Sequence, residues 1–319
     1  MSRLSQSRID AALAKAEPAI RKAFLDAIAA HKASINLRAL AEALERGDIA
    51  GAVTIAQISP AMLYPLDAAI TAAFVAGGQM VAEAAPKFAV QFGFDGRATR
   101  AEAWARQNAA GLVVDIVQGQ QEALQQLIGD RLIAGSNPAP LARQIRSVVG
   151  LSPSQVATVG NVRSDLEGLS DNYFTRALRD KRFDSLVRKA IASGKPLSAT
   201  DVERITNRYA ERALAHRATV IAESESFNAL RAGRDEGVRQ AADAGAASDI
   251  VKVWDSSGDA RVRPDHRAMD GQERPLNEPF LAPDGSLLDY PGDSSRGAPA
   301  SLTVRCRCLS TYRLTWNRP

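Results

Sequence analysis

The sequence predicts a mainly α protein, with long helices through its N-terminal and middle regions and a small α+β domain at its C-terminus. Three observations carry that prediction. Apolar residues recur at helical spacing over most of the first 240 positions. Gly, Pro and capping residues punctuate those stretches at regular intervals. Beyond Gly245 the texture changes to short apolar runs among dense Gly, Pro and Asp.

Ile9, Leu13, Ile20, Phe24 and Ile28 mark an amphipathic first helix, with Pro18 as a point of kinking. Leu37, Leu40, Ala41 and Leu44 mark a second, ending near Gly47, and Asp48 caps a third that runs through Gln57. Ser59-Pro60 opens a long Ala-rich helix toward Ala85, in which Gly77-Gly78 either weakens the helix or admits another backbone. Phe88, Val90, Phe92 and Phe94 alternate before Asp95-Gly96, which predicts a strand and a turn. That apolar stripe suits a core strand or an edge for a neighbouring subunit.

Thr99 and Glu102 have capping-box spacing, and their helix extends past Gly111 to Ile133. Helices after Pro138 and Pro153 follow, closed by Gly150 and Gly168. A basic helical stretch over residues 171–192 is then expected, and Ser198 opens a long helix to about Ala244. The chain thus reads as an N-terminal helical region with a short strand (1–98), a basic helical middle region (99–215) and a C-terminal α+β domain (216–319).

The net charge is only +4 over 319 residues, but it is unevenly placed. Residues 131–217 hold 15 Lys and Arg against 8 Asp and Glu. Arg176, Arg179, Lys181 and Arg182 cluster there, and Arg204, Arg208 and Arg212 repeat every four residues along one helix face. Such a row suits non-specific contact with the phosphates of double-stranded DNA, or a solvated face. The N-terminus lacks the apolar core of a signal peptide. The apolar run Ala68–Gly78 is too short to span a membrane, so no membrane partner is expected.

The only two cysteines, Cys306 and Cys308, are separated by one residue, which is no disulfide framework and suits a cytoplasmic origin. Read as a strand, Thr303–Cys308 places Leu302, Val304 and both cysteines on one face. His266, on a short helix after Pro264, would add a third soft ligand. Arg263 stands where a further ligand would be sought and cannot serve; Asp259, Asp265, Asp270 or water would complete a set. A structural zinc is the one cofactor these residues suit. The alternative is a pair of buried thiols beside a hydrogen-bonded histidine. No HExxH, GxSxG, Walker A or dinucleotide fingerprint is present, so neither an enzyme nor a small-molecule substrate is expected. Glu223 and Glu225 suit ion pairs with Arg261 or Arg263.

One ordered set of motifs remains. Trp254, Asp259, Arg261, Arg263, His266, Asp270 and Gly271 form a W–D–R–R–H–D–G run. The loop Tyr290–Asp293 and the Cys306-Arg-Cys308 close follow it. Ile221-Ala-Glu-Ser-Glu225 with Asn228 precedes it. In this order, over residues 215–310, the chain resembles the phage Mu F-like head morphogenesis family, the minor head proteins of tailed bacteriophages. The resemblance implies a structural role in head assembly beside a portal protein, a major capsid protein or a scaffold. It implies a place in the virion, at the head interior or portal vertex, after assembly in the host bacterial cytoplasm. Two other readings share parts of the sequence: a DNA-associated internal virion protein delivered with the genome, and a metal-dependent hydrolase or nuclease built on His266, Cys306 and Cys308.

Overall fold

The computed structural model describes residues 6–319. Helices α1 (Gln6–Ser34), α2 (Leu37–Glu45), α3 (Ile49–Ala56), α4 (Tyr64–Ala84), α5 (Thr99–Ile133), α6 (Pro138–Val148), α7 (Pro153–Glu167), α8 (Asp184–Ser193) and α9 (Ala199–Asp243) come first. Then follow β1 (Ala247–Asp255), α10 (Pro264–Met269), β2 (Glu273–Pro275), β3 (Phe280–Leu281), β4 (Leu287–Leu288), α11 (Ala300–Thr303) and β5 (Leu309–Trp316). The mainly α class with a small α+β C-terminus is what the sequence predicts.

Local chemistry sets most boundaries. Asp48 accepts the Gly51 N–H, and Asn137 accepts the Ala139 N–H. Ser152 and Gln155 form a reciprocal capping box ahead of α7. Pro18 lies inside α1, and α5 passes Gly111 without interruption. The Thr99–Glu102 box does not form: α5 begins at Thr99 itself, and Glu102 pairs with Arg106.

The chain divides into two compact units. One comprises 24–64 and 113–218; the other comprises 6–23, 65–112 and 219–319. The first is wholly helical. Phe24, Ile28, Leu40, Ile116, Leu124, Ile145, Val159, Leu166 and Tyr173 are among its buried core residues. Residues 171–183, expected to be helical, instead form two 3₁₀ turns, Asp171–Thr175 and Lys181–Phe183, before α8. Ser170 and Asp180 cap those turns through their side chains, which favours tight local bonding over a continuing helix.

In the second unit α4 and α9 approach at glycine. A Cβ on Gly77 would lie 2.2 Å from the Leu230 carbonyl oxygen, and one on Gly233 would lie 1.9 Å from that of Phe74. Only glycine permits such contact. The packing buries α9 all round between Ala229 and Val238, charged residues included. The sheet has order β2-β1-β5, with antiparallel pairing throughout. β3 and β4 form a separate hairpin about Pro283-Asp284-Gly285.

Residues 88–94 are not a strand. They join no ladder; the Val90 N–H bonds the Asn317 carbonyl, and Phe92 packs among Val81, Val238 and Leu276. Alternation without a partner edge yields an extended segment held by its side chains. By length and composition the stretch Ile49–Ala84 is apolar enough to cross a membrane. In the fold a 3₁₀ turn at Pro60–Leu63 interrupts it, and Leu66, Ile70, Phe74 and Val81 are buried.

Candidate metal centre

The C-terminal α+β region gathers its chemistry around Trp254. With Met269, Phe280, Leu288, Leu302, Cys306 and Cys308 it forms one buried cluster. Its indole meets Phe280 and the His266 imidazole edge-to-face, with ring centroids 5.3 and 5.6 Å apart. Pro264 at the first turn of α10 starts the helix that carries His266 inward.

The cysteines do not lie on a strand as expected. α11 ends at Thr303, and Arg305 takes a left-handed φ of 53°. The chain then runs irregularly to β5, which begins at Leu309. That turn delivers both sulfurs to one nitrogen: His266 Nδ1 is 3.7 Å from Cys306 Sγ and 3.4 Å from Cys308 Sγ. All three residues are buried, and their donor atoms lie within 4.8 Å of one another. The two cysteines are free, and their thiols are close enough to share a hydrogen bond. That bond, with the Arg231 charge and His266, holds the Cys306 thiol well below its usual range. The same bond and burial push Cys308 up. One thiolate and one thiol sharing a proton satisfy this geometry, as does a bound ion.

Residues 181–311 match the family model for phage Mu protein F like protein. The segment is Mu F-like. The match includes His266, Cys306 and Cys308, and it begins upstream of the residues that carry the resemblance in the sequence. It supports a Mu F-like phage head morphogenesis protein, and so a role in head morphogenesis and a virion-associated location. No curated protein and no solved structure gives a significant match.

The Mu F-like segment holds its centre partly with Arg231, which the sequence does not single out, and partly with motif residues in pairings the sequence does not disclose. Arg231 of α9 is buried, donating to the carbonyls of Cys306 (2.7 Å) and Pro291 (3.2 Å). Ser224 accepts the Arg305 N–H at 3.2 Å, and Glu223 pairs with the Arg305 guanidinium at 2.6 Å. The expected pairing of Glu223 with Arg261 or Arg263 is therefore corrected. Arg263 donates to the Val304 carbonyl, and Arg261 pairs with Asp259. Asp259 is not among the gathered donors: Arg307 grips both of its oxygens, each at 2.7 Å. That grip holds its carboxyl well below the usual carboxylate range. Asp270 accepts the Ser256 N–H, and Gly271 follows at φ 75° to close α10.

The loop Tyr290–Asp293 is tethered from several sides. Trp104 donates to the Tyr290 hydroxyl at 3.0 Å, and buried Lys252 donates to the Asp289 carbonyl at 2.7 Å. Asp293 accepts the N–H groups of Asp289 and Ser295. Burial lowers the Lys252 pKa and raises that of Asp235, which Arg239 grips at 2.7 Å.

The arginines proposed for DNA are engaged within their own unit. Arg176 pairs with Asp165, Arg179 with Asp184, Arg182 and Arg208 with Asp180, and Arg204 with Asp201. Arg212 donates to the Arg179 carbonyl at 2.7 Å, while Lys181 is exposed. His31 is buried with Nε2 2.9 Å from the Ala56 carbonyl, and His216 is exposed.

Proposed function

We propose that this protein is a minor head protein of a tailed phage that works by docking, not by catalysis. The observation that carries the proposal is the Mu F-like match over residues 181–311. In this reading the helical surfaces meet the portal protein, with the major capsid protein or a scaffold as further partners. Assembly takes place in the host bacterial cytoplasm, and the protein remains at the portal vertex or head interior. Internal pairing of the arginines between Arg176 and Arg212 supports protein docking ahead of phosphate tracking. Contact with packaged double-stranded DNA is accordingly secondary and non-specific.

The test is co-expression of the full chain with the portal, scaffold and capsid proteins of the same genome, followed by gradient sedimentation. Co-sedimentation with portal rings or shells is expected. Shells and portal rings that form while this chain stays at the top of the gradient would overturn the proposal.

A further inference from the structure

We propose that His266, Cys306 and Cys308 bind a zinc-class divalent ion, and that α9 presets this ligand set through Glu223, Ser224 and Arg231. The inference does not rest on the assembly role.

Donor chemistry selects the ion. Two thiolates and an imidazole suit Zn²⁺ and exclude the hard cations Mg²⁺ and Ca²⁺, which take oxygen ligands. Spacing agrees. Zinc bonds of about 2.05 Å to nitrogen and 2.3 Å to sulfur, at a tetrahedral angle, set N and S about 3.6 Å apart. The two separations here are 3.4 and 3.7 Å, both from the same Nδ1. His266 Nε2 is buried without a hydrogen-bond partner, so the hydrogen-bonding edge of the ring is the one aimed at the sulfurs. Because Asp259 is held by Arg307, the gathered donors among the described residues number three.

Support for the ligands is the second observation. A left-handed φ on a residue with a side chain costs about 1–2 kcal/mol. Arg305 adopts one immediately before Cys306. Ser224 takes its N–H, Glu223 takes its guanidinium, and Arg231 takes the next carbonyl, that of Cys306. Three side chains of one helix thus fix the backbone that aims the first sulfur. Strain held in place by its surroundings is a mark of a working site. Arg231 is buried, and it meets the carbonyls of Pro291 and Cys306 and the face of the Phe227 ring.

Titration of the full chain with Co²⁺ tests both halves. Expected are one ion per chain, a thiolate-to-cobalt charge-transfer absorption, and displacement by Zn²⁺. Cys306→Ser and Cys308→Ser abolish that absorption. Ser224→Ala and Arg231→Lys leave its shape and weaken affinity about 10–100-fold, as removal of outer-shell partners does. Should the cysteine variants fail to fold, alkylation of the native chain decides: Zn²⁺ protects both thiols. A folded chain whose thiols react equally fast with and without Zn²⁺, and which shows no cobalt absorption, would overturn the site. Wild-type affinity in both Ser224→Ala and Arg231→Lys would overturn the role of α9.

Discussion

One helix carries two kinds of arginine. On the N-terminal half of α9, Arg204 and Arg208 are exposed and meet carboxylates: Asp201, Asp180 and Glu211. On its C-terminal half, Arg231 and Arg234 are 2 % and 4 % exposed, and Arg231 meets carbonyl oxygens. The same residue type therefore does two different jobs. An exposed pair sits in high dielectric and contributes little, so its members are exchangeable. A buried guanidinium has lost its water, and every donor it keeps bonded defines where a loop must lie. The first kind gives a soluble, adaptable face. The second fixes the Tyr290–Asp293 loop and the cysteine segment to one helix.

The sharpest break in this comparison is Arg231→Ala. It leaves the buried Cys306 and Pro291 carbonyls without their donor and should cost about 2–4 kcal/mol of unfolding free energy in a denaturant titration.

Lys32, half-buried, extends the comparison into the other unit. Its ammonium donates to the Ser147 carbonyl at 2.9 Å. Burial lowers its pKa from 10.5 to about 8, with Glu211 opposing the shift and Arg146 adding to it. The charged form is therefore disfavoured in the fold. The penalty is full below pH 8 and lifts as pH rises from 8 toward 10.5, where the unfolded chain binds more protons. Its contribution to stability should rise across that window by on the order of 3 kcal/mol, and Lys32→Met should remove the rise. Equilibrium unfolding at a series of pH values reads both.

Lys252→Met should cost only about 1 kcal/mol. The bond to the Asp289 carbonyl is lost, but so is the desolvation of a buried ammonium. A loss as large as that of Arg231→Ala would mean the ammonium itself organises the loop. The smallest effect belongs to Arg204→Ala/Arg208→Ala, whose thermal midpoint should match that of the parent chain in a calorimetric scan.

How much of this was legible follows from where each signal resides. Caps and breakers are local, so Asp48, Ser152-Pro153 and Gly150 declare their elements from sequence. The glycine pair at 77–78 announces a close backbone, and the structure supplies it in α9. His266, Cys306 and Cys308 are legible by residue type. The bend that joins them is not, because Arg305 has no local reason for a left-handed φ; Ser224 and Glu223, some eighty residues earlier, impose it. Arg231 is equally hidden. Among the charged residues of α9 it reads as solvated, and only burial on every side of residues 229–238 removes that option. Lys252 leaves a faint trace, since strand alternation puts it on the face of Trp254, and both are buried. The Phe88–Phe94 stripe misleads for the opposite reason: its alternation is real, but a ladder needs a partner edge that no local pattern supplies.

The most direct measurement is a side-by-side denaturant titration of Arg231→Ala and Arg204→Ala/Arg208→Ala against the parent chain. A large loss in the first and none in the second is predicted. Equal losses, or a larger loss in the second, would contradict the division between buried cations that hold the Mu F-like centre and exposed ones that do not.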